Sequence, residues 1–228
     1  MTRARGYFVA GTDTGVGKTL VSAALVRAFA DGGRRVVGLK PVASGSDPTP
    51  AGLRNADALA LMAEASVELP YDVVNPYVFE PAIAPHLAAA EKNLSIDAQN
   101  ITRIVDNVRE QVDIVVVEGV GGWHVPLNRQ QDTADLAVML GLPVILVVGM
   151  RLGCLNHAVL TANAIAAVGL PLVGWIANSI DPQFERFAQN LDELQTRIAA
   201  PLLGTIPFSD VPPCVIQATN QLSLDPLQ

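Results

Sequence analysis

Short apolar runs rich in valine and isoleucine recur along the chain, each bounded by turn residues: Tyr7–Ala10, Val36–Leu39, Ile114–Val117, Val144–Val148 and Leu172–Ile176. Their hydrophobicity is continuous rather than alternating, which predicts strands buried on both faces. Between them lie segments of helical length and period, among them Lys18–Ala30, Asp57–Glu64, Asp97–Gln111, Thr133–Leu140, Leu155–Val168 and Phe184–Ile198. Alternating strand and helix implies an α/β fold: a mostly parallel sheet with right-handed crossovers and helices on both faces. Such sheets bind ligands at the carboxyl ends of their strands, so the residues just after each strand matter most. The least regular stretches are Pro41–Arg54, Tyr71–Pro85 and the tail from Ser209, and the first two are candidate active-site loops.

Composition narrows the classes. With 228 residues, half of them hydrophobic, the chain can bury a full sheet in a single domain. The longest apolar stretch, Pro143 to Val148, is far too short to cross a bilayer, and glycine interrupts the first apolar run before it can act as a signal peptide. Cys154 and Cys214 offer neither a disulfide framework nor metal-ligand spacing, which suits a reducing cytoplasm. A formal net charge of −7 with scattered basic residues argues against a nucleic-acid partner and for a small molecule.

The strongest chemical signal follows the first strand: Gly11-Thr-Asp-Thr-Gly-Val-Gly-Lys-Thr19, then at once a helical pattern. A glycine loop between strand and helix is the setting of a phosphate loop. Gly15 and Gly17 let backbone N–H groups turn inward, the helix N-terminus adds its positive dipole, and Lys18 reaches the β- and γ-phosphates. Thr19 is placed to hold Mg²⁺ through its hydroxyl. Five residues rather than four separate Gly11 from Gly17, so the common spacing fails at its first glycine, where Thr12 stands. The loop predicts binding of ATP or GTP.

Other strand ends add candidates. Ile114–Val117 runs into Glu118-Gly-Val-Gly-Gly122, placing a carboxylate suited to Mg²⁺ beside a flexible loop. The second strand ends in Lys40-Pro-Val-Ala-Ser-Gly-Ser46, bringing a second lysine to the same edge; alone it reads as a surface charge, and beside the phosphate loop as a partner for a transferring phosphoryl group. Asn55 or Asp57 reads first as a helix cap. After Val144–Val148, Gly149-Met-Arg-Leu-Gly-Cys-Leu-Asn-His157 opens another helix whose free N–H groups suit a carboxylate, with Cys154 itself an apolar packing residue. His86, His124 and His157 have no metal-site spacing.

Collected in order, Gly11 to Thr19, Lys40-Pro-Val-Ala-Ser-Gly45, Leu53-Arg-Asn-Ala-Asp57, Asn75-Pro-Tyr77, Pro85-His86, Val117-Glu-Gly-Val-Gly-Gly-Trp123, Leu152-Gly-Cys-Leu-Asn-His157 and Gly174-Trp-Ile-Ala-Asn178 resemble the dethiobiotin synthases, from the first strand to about Ser209. The resemblance implies a parallel sheet of about seven strands, a cytoplasmic homodimer with active sites at its interface, and conversion of 7,8-diaminononanoate, CO2 and ATP, with Mg²⁺, into dethiobiotin, ADP and phosphate. It implies that Lys40 and Lys18 are catalytic and that Thr19, Asp57 and Glu118 surround Mg²⁺. Nucleotide contacts would come from Gly15, Val16, Gly17, Lys18, Thr19, Leu20, Glu118, Gly119, Val120, Gly121, Asn178, Ser179, Pro207, Phe208 and Ser209. Substrate contacts would come from Thr14, Ser44 and Gly121, and from Gly153, Cys154, Leu155 and Asn156 of the neighbouring subunit.

Gly15 stands where the family often has glutamate, so no acidic contribution is assigned there, and Cys214 has no inferred role. Two rivals share the phosphate loop. A partition or positioning ATPase would carry a signature lysine where this chain has Asp13, and would show a basic or amphipathic partner surface. A nucleotide sensor would keep the pocket without the retained Lys40, Ser44 and Asp57 set.

Overall fold

The computed structural model describes residues 5–209 and 214–227. In chain order the elements are β1 (Arg5–Gly11), α1 (Lys18–Asp31), β2 (Val36–Leu39), β3 (Val42–Ser44), β4 (Asp47–Thr49), β5 (Gly52–Arg54), α2 (Ala56–Glu64), α3 (Tyr71–Val74), β6 (Tyr77–Phe79) and α4 (Pro85–Glu91). There follow α5 (Ala98–Arg109), β7 (Ile114–Glu118), α6 (Thr133–Leu140), β8 (Val144–Met150), α7 (Cys154–Ala167), β9 (Leu172–Ser179), α8 (Phe187–Arg197), β10 (Leu202–Ile206) and α9 (Val215–Thr219).

The central sheet among the described residues is parallel throughout, in the order β10-β9-β8-β1-β7-β2. It has six strands, where the resemblance implied about seven, and the β2 ladder stops at Leu39. Lys40 N–H goes instead to Val74 O at 2.9 Å, and Pro41 has no N–H to offer. Beyond that break β3 pairs in parallel with β6 as a separate two-stranded sheet, while β4 and β5 form a small antiparallel hairpin. The two stretches that lacked regular pattern are thus short strands and one turn of helix.

Both faces of the sheet are covered, as continuous apolar strands require. On β7, Ile114 and Val116 join one core with Tyr7, Val9, Ile145, Val147 and the α1 residues Val21, Leu25 and Phe29. Val115 and Val117 join the opposite core with Phe8, Leu146, Val148, Trp175 and the inward residues of α5, α6 and α7. Successive strand residues point to opposite faces, so one valine-rich run serves two cores. Gly38 lets α2 lie close on β2, since a Cβ there would stand 2.8 Å from Leu61 Cβ. The tail beyond the undescribed residues 210–213 does not drape over the phosphate loop: α9 packs on α1, Thr219 Oγ1 donates to Ala24 O at 3.4 Å, and Tyr7 donates its hydroxyl hydrogen to Leu227 O at 2.7 Å. No helix is long and apolar enough to cross a membrane among the described residues.

Candidate active site

The phosphate loop joins β1 to α1 at the carboxyl edge of the sheet. Gly15 and Gly17 take φ of 75° and 90°, the left-handed region where L side chains are strained, and Gly17 is the residue from which α1 starts. The loop is braced from β9. Asn178 Nδ2 donates to Val16 O at 2.8 Å and lies so close to Gly17 that a Cβ there would fall 2.1 Å away. Lys18, only 7% exposed, bends back to donate to Asp13 O at 3.0 Å. Its pKa is lowered to about 8, chiefly by burial and next by the positive charge of Lys40.

Beside this loop a lysine meets two carboxylates. Lys40 Nζ contacts Glu118 Oε1 at 2.5 Å, Asp57 Oδ2 at 2.9 Å and Gly119 O at 3.2 Å. Thr19 Oγ1 donates to the same Glu118 oxygen at 3.0 Å. Burial opposes the Lys40 ammonium, but Glu118 and Asp57 outweigh it and raise its pKa. Burial likewise opposes the Asp57 carboxylate, and Lys40, with the Thr19 hydroxyl, overrides it and holds its pKa below the usual carboxylate range. Glu118 is 1% exposed, and its Oε2 has no hydrogen-bond partner among the described residues. Two carboxylates around a cation, with a hydroxyl bonded to one of them and one oxygen still free, are the hard-oxygen donors that Mg²⁺ takes. Asp57, which the sequence left between cap and ligand, is neither the cap nor remote: Asn55 caps α2, with its Oδ1 accepting from Asp57 N and Ala58 N at 3.1 and 3.3 Å, and Asp57 faces Lys40.

The remaining candidates fall along the same edge. Gly119, Val120 and Gly121 follow Glu118 and turn across the phosphate loop, with a Cβ on Gly121 falling 3.5 Å from Thr14 Oγ1. Leu20 is half-buried in the first turn of α1 behind Thr19. Ser44, at the end of β3, has a buried hydroxyl with no hydrogen-bond partner among the described residues. Ser179 ends β9, and Pro207, Phe208 and Ser209 follow β10, its neighbour.

The sheet order gives this edge a direction. Asn178, Ser179 and the Pro207–Ser209 segment lie toward β10, the phosphate loop is central, and Lys40, Ser44 and Glu118 lie toward β2. Gly153 to Asn156 open α7 after β8, with Cys154 buried and its thiol pKa raised by that burial. The ends of β8 and β2 are three strand spacings apart, about 14 Å, so the first turn of α7 stands apart from Lys40 within one chain. Two pairings went unread in the sequence. Arg151 holds Asp13 at 2.5 Å, and Tyr71 with Asn75 links the segments carrying Lys40 and Asp57. Only the quoted Asn75-Pro-Tyr77 motif hinted at the second.

A family model described as an AAA domain matches residues 5–211. Over 226 residues the chain is 50% identical to the ATP-dependent dethiobiotin synthetase BioD of Pseudomonas paraeruginosa, spanning 97% of each. It is 53% identical over 207 residues to the enzyme of the same name from Aromatoleum aromaticum, covering 91% of this chain and 92% of the relative. The chain belongs to the dethiobiotin synthetase family. Solved structures resemble it at the level of fold. The septum site-determining protein MinD of Pyrococcus horikoshii OT3, complexed with Mg-ADP, aligns with a TM-score of 0.55 at 18% identity over 90% of this chain and 81% of its own. A ParA family ATPase from Chlorobium tepidum TLS gives 0.57 at 14% identity, over 90% and 85%. The synthetase relatives, alike over nearly their whole length, decide against the positioning-switch reading. Where that reading asked for a lysine, this synthetase family member has Asp13, engaged by Arg151.

Proposed function

We propose that the chain is an ATP-dependent dethiobiotin synthetase of biotin biosynthesis, acting on 7,8-diaminononanoate and CO2 in the cytoplasm. The observation that carries this is the joining of a phosphate loop to a cluster in which buried Lys40 and Glu118 meet half-buried Asp57, in a chain about half identical to named synthetases over nearly its whole length. One amine attacks CO2, losing a proton and giving a carbamate. A carbamate oxygen attacks the γ-phosphorus of ATP, ADP leaves, and a carbamic-phosphoric mixed anhydride remains. The second amine then attacks the carbonyl carbon, sheds a proton and expels phosphate, closing the ureido ring. No bond to the protein forms, so catalysis rests on alignment and charge.

Lys18 takes the β- and γ-phosphate oxygens, supplied with the anionic partner its buried ammonium lacks. Lys40 faces the carbamate and the migrating phosphoryl group, with Ser44 and the Gly121 backbone beside the diamine. Thr19, Asp57 and Glu118 would hold Mg²⁺, which would draw off the negative charge that develops during phosphoryl transfer. In the bound state the Lys40 ammonium yields its place between the carboxylates and turns to the reactants. Asn178, Ser179 and Pro207–Ser209 lie where the adenosine end of such a nucleotide would fall.

The pocket for the far carboxylate is the first turn of α7 from a second subunit. Two features support this reading: the distance from α7 to Lys40 within one chain, and apolar side chains left outward near that turn, Leu152 at 90% and Leu160 at 59% exposure. A homodimer would bury them.

Purified protein with Mg-ATP and bicarbonate is expected to release ADP only when 7,8-diaminononanoate is added, matched by dethiobiotin identified by mass. ADP release indifferent to the diamine would sink the proposal, as would folded, ATP-binding protein that makes neither product.

A further inference from the structure

Lys40 and Asp57 lie on different segments, yet a single phenol ties both backbones together. Tyr71, in α3, donates its hydroxyl hydrogen to Asn75 Oδ1 at 2.9 Å and accepts the backbone N–H of Asn55 at 2.7 Å. On one side, Asn75 Nδ2 donates to Lys40 O at 2.7 Å and to Tyr77 O at 3.3 Å. On the other, Asn55 caps α2 and so fixes the turn that carries Asp57. Asn75 is 1% and Asn55 4% exposed, and the Arg54 guanidinium covers the Tyr71 ring at 4.1 Å, so the path is closed to solvent along most of its length. Lys40 needs such an anchor. Its carbonyl lies outside the β2 ladder, directly before Pro41, where no sheet bond holds it.

We infer that Tyr71 and Asn75 are positioning residues which set where the Lys40 ammonium and the Asp57 carboxylate stand relative to each other. Neither touches reactants in the proposed chemistry. They act on the two backbones from which the active groups project, and small misplacement of such groups is costly: roughly a 1 Å error lowers turnover by about 100-fold. A phenylalanine at position 71 fills the same space but leaves the Asn55 N–H and Asn75 Oδ1 without their shared partner. The bland alternative is that these bonds merely satisfy a loop; removing them would then lower stability and leave the chemistry of the folded protein intact.

The inference rests on the proposed reaction for its activity readout, so the test carries a second readout that does not. Tyr71→Phe and Asn75→Asp, each checked for folding by thermal melting, are assayed beside wild type for diamine-dependent ADP release and, without diamine, for Mg²⁺-dependent ATP binding by calorimetry. Expected for both is a kcat loss of about 10- to 100-fold, KM for ATP within about two-fold, and a raised Mg²⁺ half-saturation in binding. In a Lys40→Met background, Tyr71→Phe should add little further kcat loss, because the group it positions is gone. Wild-type kcat and Mg²⁺ dependence in the folded variants overturn the inference, and so does a Tyr71→Phe loss that is fully additive with Lys40→Met. Should Tyr71→Phe fail to fold, Asn75→Asp decides the matter, since it keeps an acceptor for Tyr71 while removing the donor to Lys40 O. If wild type itself shows no diamine dependence, the reaction is wrong, and the Mg²⁺-linked binding still judges the positioning claim.

Discussion

Lys18 and Lys40 emerge at the same sheet edge, after β1 and β2 on either side of β7, and both are buried, at 7% and 3% exposure, yet their settings are opposite. Lys18 has one backbone carbonyl for a partner, and burial takes its pKa down to about 8. Lys40 has two carboxylates, and its pKa is raised. Burial acts on both in the same direction, so the difference comes from the company each ammonium keeps. On the proposed function, Lys18 awaits the negative charge that a nucleotide would bring, whereas Lys40 is already paired with Asp57 and Glu118, the carboxylates proposed for Mg²⁺. The half of the site toward β9 and β10 should therefore govern nucleotide affinity, and the half toward β2 should govern turnover and metal dependence.

The largest effect is expected from Lys40→Met. Turnover should fall by about 1,000-fold, the magnitude seen when a preorganised stabilising group is removed, while ATP affinity changes only a few-fold. Isothermal titration together with single-turnover ADP release separates the two. Comparable losses in both would erase the division between the halves.

Next comes Lys18, through pH. Its folded-state pKa is about 8 against an ordinary 10.5, so between those values the unfolded chain binds more protons and stability must rise with pH. Below pH 8 the apo protein carries a penalty of about 3 kcal/mol for charging this group. Urea melts of nucleotide-free wild type are expected to show that rise from pH 8 to 10.5, and Lys18→Met to lack it while being the more stable protein at pH 7. ATP binding should weaken above pH 8 and take up protons there, read from calorimetry in buffers of different ionisation enthalpy. Lys40 and Asp57 should contribute nothing in this window. Stability from the raised lysine persists until pH passes its folded pKa above 10.5, and that from the depressed carboxylate is lost only as pH falls below 3.8.

The two halves also differ in how openly the sequence declared them. Lys18 and Thr19 were legible because glycine spacing between a strand and a helix has one dominant use. Lys40 and Asp57 were less so, since a lysine after a strand and an aspartate in a first helical turn are commonplace; the company of the phosphate loop gave Lys40 a role, the resemblance alone gave Asp57 one, and only the fold shows them 2.9 Å apart. Five central strands stood out as short runs rich in valine and isoleucine. β10 did not, because Gly204 and Thr205 interrupt it and Pro201 precedes it, so its place depends on tertiary pairing with β9. Tyr71 was invisible for a related reason: the value of its hydroxyl lies in Asn55, on another segment, and in Asn75, which in turn reaches Lys40 O.

Glu118→Gln sharpens the β2 half. It keeps the shape and one acceptor but removes the charge shared by Thr19, Lys40 and the proposed Mg²⁺. The Mg²⁺ half-saturation of ATP binding should rise by about 10- to 30-fold, a loss of about 2 kcal/mol, within the range of a charge-assisted contact. A wild-type titration curve would reduce Glu118 to a strand-end acid paired with Lys40.

The smallest effect tests the β9 half. Asn178→Ala removes the bond from Nδ2 to Val16 O and opens the tight contact against Gly17. A neutral hydrogen bond contributes about 1 kcal/mol, so ATP affinity should weaken by roughly five-fold with kcat nearly unchanged, since the loop shaped here receives the nucleotide and lies away from Lys40. Measuring GTP beside ATP separates two ways of reaching that number. An equal loss for both means the side chain only braces the phosphate loop. A loss larger for ATP than for GTP means it also reads the base. A drop in kcat with affinity intact would be the damaging result, because it would put control of turnover in the half of the site that lacks the acid-held lysine.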